Sequence, residues 1–285
     1  MTTIKRVGIL GSGIMGAGIA EVAAASGHEV MLRSRTAEAA EAMVARLETS
    51  LARQVEKGKR NEADRAEILS RVTTTTKLHD LAQVDLVIES VVEDIDVKRL
   101  LFAELDQVCD DNTILATNTS TFPVVELAVV TGRPDRVCGV HFFNPAPAMA
   151  LVEVVRPLTA SDDTVASVMA FAEACGKEAV EVKDRAGFIV NALLFPYLNN
   201  AVRMLELGVA TAEGIDAAMR GGCGFPMGPF QLLDLVGLDT SLAIIDALYD
   251  EFRDPNYAAV PLLRRMVSAG HLGRKSGRGF YDHRR

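Results

Sequence analysis

The chain has 285 residues, 49% of them hydrophobic and 24% charged, which is the composition of a folded globular protein with one large or two medium domains. Its formal net charge of −8 denies it the positive field that a nucleic-acid backbone or an anionic membrane requires, so any anionic ligand must be held by local basic groups. Cys109, Cys138, Cys175 and Cys223 have no paired spacing and the histidines form no HxxxH or HExxH, so neither disulfides nor a metal site is expected. No run reaches ~18 apolar residues and no secretory leader precedes the first strand pattern, which points to a cytoplasmic protein without a membrane span.

In chain order, residues 4–10 (IKRVGIL) read as a strand, followed at once by Gly11, Ser12, Gly13, Ile14, Met15 and Gly16. A helix of small residues then runs to Gly27, and EVMLR (29–33) supplies a second strand, completing one βαβ unit. The Ala-, Glu-, Arg- and Lys-rich stretch 36–70 predicts helix with a break at Gly58. Strands are expected at 72–76, 84–88, 113–117, 137–143, 151–156 and 179–183, with the amphipathic helix VKRLLFAELDQVC between two of them. Alternating strands and helices predict an α/β fold, a doubly wound and mostly parallel Rossmann-type sheet. After Asp184 the pattern turns helical, at 188–207, 212–220, 230–250 and 260–269, so the domains are expected at 1–184 and 185–285, the second smaller and all-α.

GxGxxG alone is a weak signal, but here it joins a strand to a helix, the context in which it binds a dinucleotide. Gly11 permits the turn, Gly13 lets backbone approach the pyrophosphate, and Gly16 allows close packing of helix on strand. The helix N-terminus then offers N–H groups and a positive dipole end to the phosphates. The second strand of such folds usually ends on an acid that binds the adenosine ribose 2′-OH, whereas this one ends on Arg33, Ser34 and Arg35. A hydroxyl flanked by guanidinium groups suits a 2′-phosphate, which favours NADP over NAD. The alternative is that both arginines lie in solvent and NAD binds with one polar contact fewer.

Four segments come in a specific order: NTST (118–121), HFFNPAP (141–147), LVEVV (151–155) and AGFIVNALLFPYLNNA (186–201). With FPMGPFQLLDLVGLD (225–239) and GRKSGRGFYD (273–282), they resemble the L-3-hydroxyacyl-CoA dehydrogenases, especially the short bacterial 3-hydroxybutyryl-CoA dehydrogenases, over nearly the whole chain. The resemblance implies reversible oxidation of a short (S)-3-hydroxyacyl-CoA, with His141 as general acid/base and Glu153 as its partner. The chemistry agrees, because oxidising a secondary alcohol needs a base for the hydroxyl proton and histidine serves in both directions near neutral pH. Taken alone, one histidine beside two phenylalanines is more often a core residue, and the surrounding motif reverses that preference.

By the same resemblance Ser120 and Asn191 hydrogen-bond the substrate near its reacting oxygen, although Asn191 also suits a helix start. Asn144 corresponds to a residue near the nicotinamide, and Glu93, Lys98 and Lys275 to cofactor contacts; viewed alone, those three charges would be solvated. For coenzyme A the resemblance points to Ser50 and Lys57, on a stretch whose Arg53, Lys57, Lys59 and Arg60 form a basic cluster. A homodimer through the helical domain is also implied. Ser34 departs from the family pattern, as do Ala186 and Ala192, which stand where proline and arginine are usual. The rivals are a dehydrogenase of a free 3-hydroxyacid, which typically relies on a lysine in its helical domain, and a catalytically silent crystallin-like protein of the same fold.

Overall fold

A computed structural model describes residues 2–284, which divide into two compact units, one ending at Arg185 and the other beginning at Ala186. In the first unit β1 (Arg6–Leu10) leads into α1 (Ile14–Ala25), followed by β2 (Glu29–Arg33), α2 (Ala37–Glu56), α3 (Glu62–Ser70) and β3 (Val72–Thr75). The second half of the sheet is built from β4 (Leu86–Glu89), α4 (Ile95–Val108), β5 (Ile114–Thr117), a single turn α5 (Val125–Ala128) and β6 (Val137–Phe142). It continues through β7 (Leu151–Arg156), α6 (Asp162–Ala174) and β8 (Glu178–Lys183).

The strands form one sheet in the order β3-β2-β1-β4-β5-β6-β7-β8. All neighbours are parallel except β6 and β7, which pair antiparallel with His141 opposite Glu153. Strands β4, β5 and β6 are buried at every position, as expected of central parallel strands covered on both faces. Isoleucine, valine and leucine side chains of β1, β2 and β4 pack against Ile19, Val22, Met43, Leu47 and Leu51 of the first two helices.

Glycine is required at the first turn for two separate reasons. A Cβ on Gly11, whose φ is 122°, would lie 2.1 Å from the Ser90 carbonyl oxygen, and one on Gly16 would lie 2.2 Å from the carbonyl oxygen of Gly11. The chain therefore reverses directly above β4, and α1 starts in contact with that reversal. The break expected at Gly58 is present, with φ 67° there. It is followed by a capping box in which Asn61 and Asp64 exchange hydrogen bonds at the start of α3.

Helix α6 was not anticipated from the sequence, although its signals are ordinary. Ser161 caps it by accepting the Thr164 N–H, Asp162 and Asp163 occupy its first turn, and Val165, Val168, Phe171 and Ala172 bury one face. It supplies the crossover that two parallel strands, β7 and β8, need.

The second unit contains α7 (Val190–Glu206), α8 (Ala212–Cys223), α9 (Pro229–Val236), α10 (Leu238–Phe252) and α11 (Pro261–Ser268). The single helix expected at 230–250 is two helices. Gly237, with φ 103°, interrupts them, and a Cβ there would press on Asp239 and Lys275. Phe195, Leu198, Val202, Phe230, Leu233, Leu238, Ile245 and Leu263 form the core. Two buried aspartates fasten the tail: Asp234 accepts the Phe280 and Tyr281 N–H groups, and Asp216 accepts the Tyr281 hydroxyl and the Phe230 N–H. Among the described residues no helix is long and apolar enough to cross a membrane.

Candidate active site

The cross-strand register of β6 and β7 creates the central feature. In the antiparallel pair His141 and Glu153 are direct neighbours, and His141 Nδ1 lies 2.8 Å from Glu153 Oε2. The histidine is 4% exposed and the glutamate 0%. A carboxylate can only accept, so this contact assigns the Nδ1 proton to the imidazole and leaves Nε2 as the acceptor of the neutral ring. Nε2 lies 2.9 Å from Ser120 Oγ, on the turn that follows β5. Phe143 packs edge-on against the imidazole with ring centroids 4.5 Å apart. Ser120, His141 and Glu153 therefore form one relay, with two buried members and a half-buried serine.

The Ser120 turn is held by residues on both sides. Asn118 Oδ1 accepts the Phe142 N–H at 2.8 Å, and Glu93 accepts the Ser120 N–H at 3.1 Å together with the Thr119 and Thr121 hydroxyls. Burial opposes ionisation of Glu93, but Lys98 and these hydrogen bonds outweigh it and hold the carboxyl below its ordinary range. Lys98 is neither solvated nor at the surface: it is 1% exposed, and its ammonium meets Glu89 and Glu93. Glu89, the last residue of β4, escaped the sequence reading. Its one signal is a carboxylate closing an otherwise apolar strand.

A cleft of about 780 Å³ lies beside the glycine turn, lined by Gly11, Ser12, Gly13, Ile14, Arg33, Ser34, Arg35 and Arg46 and by the apolar side chains of Val92, Val97, Leu100 and Leu101. Met15 and Gly16 continue into α1 behind it. A Cβ on Gly13 would meet nothing within 4 Å, so the backbone there is open to a ligand, and Ile14, Val92 and Leu100 are exposed, as an adenine-binding wall must be before it is filled. These features fit a dinucleotide. Ser34 closes its own turn, donating to the Thr36 carbonyl at 2.6 Å, so its proton is committed to the backbone. The Arg33 Nε, by contrast, is buried without a hydrogen-bond partner.

A second groove, of about 770 Å³, runs between α2 and the loop after β6. Ser50, Arg53, Lys57, Lys59 and Arg46 line one side, and Pro145, Ala146, Pro147 and Ala148 the other. Arg60 is not among its lining residues and instead donates to Gln54 Oε1 at 3.0 Å. Asn144 sits exposed at the start of the same loop. In the second unit, Asn191 is buried in the first turn of α7, and Lys275 is ion-paired with Asp239 at 2.6 Å. Ala186, at the family's proline position, donates its N–H to Glu251 Oε2 at 2.7 Å, a bond that proline cannot make.

The family model described as "3-hydroxyacyl-CoA dehydrogenase, NAD binding domain" matches residues 6–185, and that described as "3-hydroxyacyl-CoA dehydrogenase, C-terminal domain" matches residues 187–283. The chain is 50% identical over 286 residues to 3-hydroxybutyryl-CoA dehydrogenase of Mycobacterium tuberculosis, covering 98% of this chain and 99% of the relative. It is 47% identical over 280 residues to the probable 3-hydroxybutyryl-CoA dehydrogenase of Bacillus subtilis, with 98% of each covered. The crystal structure of (S)-3-hydroxybutyryl-CoA dehydrogenase from Ralstonia eutropha superposes with a TM-score of 0.97 at 44% identity, over 99% of this chain and all of that one. Both halves match in order and the relatives run its whole length, so the chain belongs to the 3-hydroxyacyl-CoA dehydrogenase family.

Proposed function

We propose that the protein interconverts (S)-3-hydroxybutyryl-CoA, or another short (S)-3-hydroxyacyl-CoA, and the corresponding 3-oxoacyl-CoA, with His141 as general acid/base. The relay from Ser120 through His141 to Glu153 carries this reading, because it sets one acceptor nitrogen against the Ser120 hydroxyl with a buried carboxylate behind the ring. In oxidation Nε2 takes the C3 hydroxyl proton while Glu153 stabilises the imidazolium, and in reduction the same nitrogen returns the proton to the carbonyl oxygen. The nicotinamide, when bound, supplies the acceptor or donor of the hydride that leaves or joins C3. Ser120 Oγ and the Asn191 amide are assigned to the reacting oxygen, since both can donate a hydrogen bond without adding charge.

Gly11, Ser12, Gly13, Ile14, Met15 and Gly16 are assigned to the dinucleotide phosphates, with Glu93, Lys98, Asn144 and Lys275 as further cofactor-side residues. The Arg33-Ser34-Arg35 segment favours NADP, supported now by the unpartnered Arg33 Nε and by Arg46 beside it rather than by the Ser34 hydroxyl. Ser50 and Lys57 are assigned to coenzyme A, whose phosphates find Arg53 and Lys59 in the same groove. We assign residues 1–184 to the cofactor and 185–285 to substrate and dimerisation. Leu193, Leu207, Val209 and Phe225 of the second unit are exposed, which supports a homodimer formed there, in a protein we assign to the cytoplasm.

The test is reduction of acetoacetyl-CoA with each reduced nicotinamide cofactor, set beside a free 3-oxoacid. Turnover of the thioester, with the higher kcat/KM for NADPH and a shift toward NADH in Ser34→Asp, is expected. Preference for the free acid would overturn the substrate, and a strong NADH preference would overturn the cofactor.

A further inference from the structure

We infer that Glu89 and Lys98 are positioning residues for the reaction, forming a buried ion cluster that sets Ser120 against His141 by way of Glu93. The inference rests on the assignment of Ser120 to the reacting oxygen.

Glu89 has no solvent exposure. One of its oxygens accepts Lys98 Nζ at 2.7 Å and the Val91 N–H at 2.7 Å; the other accepts Lys98 Nζ at 2.9 Å and Thr117 Oγ1 at 2.7 Å. Lys98 Nζ then reaches Glu93 Oε2 at 3.1 Å. An ammonium has three donors, and here three carboxylate oxygens surround it, so its direction is fixed. Glu93 Oε1 accepts the Ser120 N–H at 3.1 Å and the Thr121 hydroxyl at 3.2 Å, as well as the Thr119 hydroxyl. A second tie runs through Thr117, whose Oγ1 accepts the Thr119 N–H at 3.2 Å while donating to Glu89. Both ties converge on the short turn that carries Ser120.

Apolar side chains would hold a turn against the sheet at lower desolvation cost than the two buried charges of Glu89 and Lys98. What the charges add is direction. Each bond has a narrow angular range, and the chain of bonds ends 2.9 Å from the imidazole nitrogen that moves the proton. Misplacement of a reacting contact by about 1 Å costs about 100-fold in rate, which sets the scale of the expected effect.

The test is a double-mutant cycle on the full-length enzyme. Lys98→Met is expected to lower kcat about 100-fold, with the KM for acetoacetyl-CoA unchanged within about twofold. The circular dichroism spectrum should be unchanged, and kcat is read at saturating cofactor so that a change in cofactor affinity is kept apart from the loss of positioning. In a Ser120→Ala background the same substitution should change kcat by no more than about twofold, because the group it places is gone. A full 100-fold loss without Ser120 overturns the inference, as does a loss of rate that disappears at saturating cofactor. Parental kcat in Ser120→Ala alone overturns instead the role of Ser120. Should Lys98→Met not fold, Thr119→Val removes one tie without leaving a buried charge. Its smaller loss, about tenfold, must likewise vanish without Ser120, and persistence there overturns the inference.

Discussion

Replacing Glu153 with glutamine separates the charge of the histidine's partner from its shape. Glu153→Gln keeps the side-chain length and an oxygen able to accept the Nδ1–H, so the ring keeps its orientation. The loss is the negative charge that faces the imidazolium formed when Nε2 takes a proton. The two groups touch at 2.8 Å and are almost wholly removed from water, at 4% and 0% exposure, so solvent screens them little. For unit charges centred about 4 Å apart, an effective dielectric of about 20 gives about 4 kcal/mol. At about 1.4 kcal/mol per decade, kcat should fall about 1,000-fold. The assay is acetoacetyl-CoA reduction followed through the absorbance of the reduced nicotinamide at saturating cofactor, with melting temperature and cofactor Kd measured on the same sample. A folded, cofactor-binding variant whose kcat stays within about tenfold of the parent would refute the role given to the carboxylate.

Lys57→Ala and Arg53→Ala should each raise the KM for acyl-CoA several-fold at low salt and leave kcat nearly intact; a difference that persists at about 1 M salt speaks against an electrostatic anchor. Ala186→Pro removes the donor to Glu251 and should destabilise the protein by about 1 kcal/mol in urea titrations, after the smaller gain from a stiffer unfolded chain. A rise in stability would contradict that account. Burial lowers the pKa of His28, partly opposed by its hydrogen bond to the Ile4 backbone, so the unfolded chain takes up this proton first. The contribution is therefore complete above about pH 6.5 and shrinks as pH falls toward the depressed folded value. His28→Phe should lose less stability than the parent between about pH 7.5 and about pH 5.5, and an equal loss would remove His28 as a cause.

The parts of the molecule governed by short-range rules were legible in the sequence. The β1 turn, its glycines and the alternation of strands and helices follow from backbone sterics and periodicity, and the structure has them at Gly11, Gly16 and the strands around them. The break at Gly237 was missed because apolar residues keep a helical rhythm across it, and only the positive φ reveals the interruption. Lys98 is marked by the family motif, but its burial is hidden for a different reason. On α4 its position looks like any charged helix residue, and its burial depends on Glu89, a residue nine places earlier that only the sheet brings beneath it. Ser34 shows the same limit, since a hydroxyl free to meet a ligand and one spent on its own turn have identical sequences. The antiparallel register of His141 and Glu153 needed the three-dimensional pairing, although both residues had been singled out from their motifs.

That register separates two tasks along the chain. The dyad is fixed by the β6–β7 ladder, and a slip of one residue would turn the Glu153 side chain to the opposite face of the sheet. The residues joining those strands, from 143 to 150, form a loop that closes one side of the groove proposed for coenzyme A. Insertions or deletions in that loop can reshape the groove while the ladder keeps His141 and Glu153 in step. Selection can therefore tune the ligand and preserve the chemistry within a single hairpin.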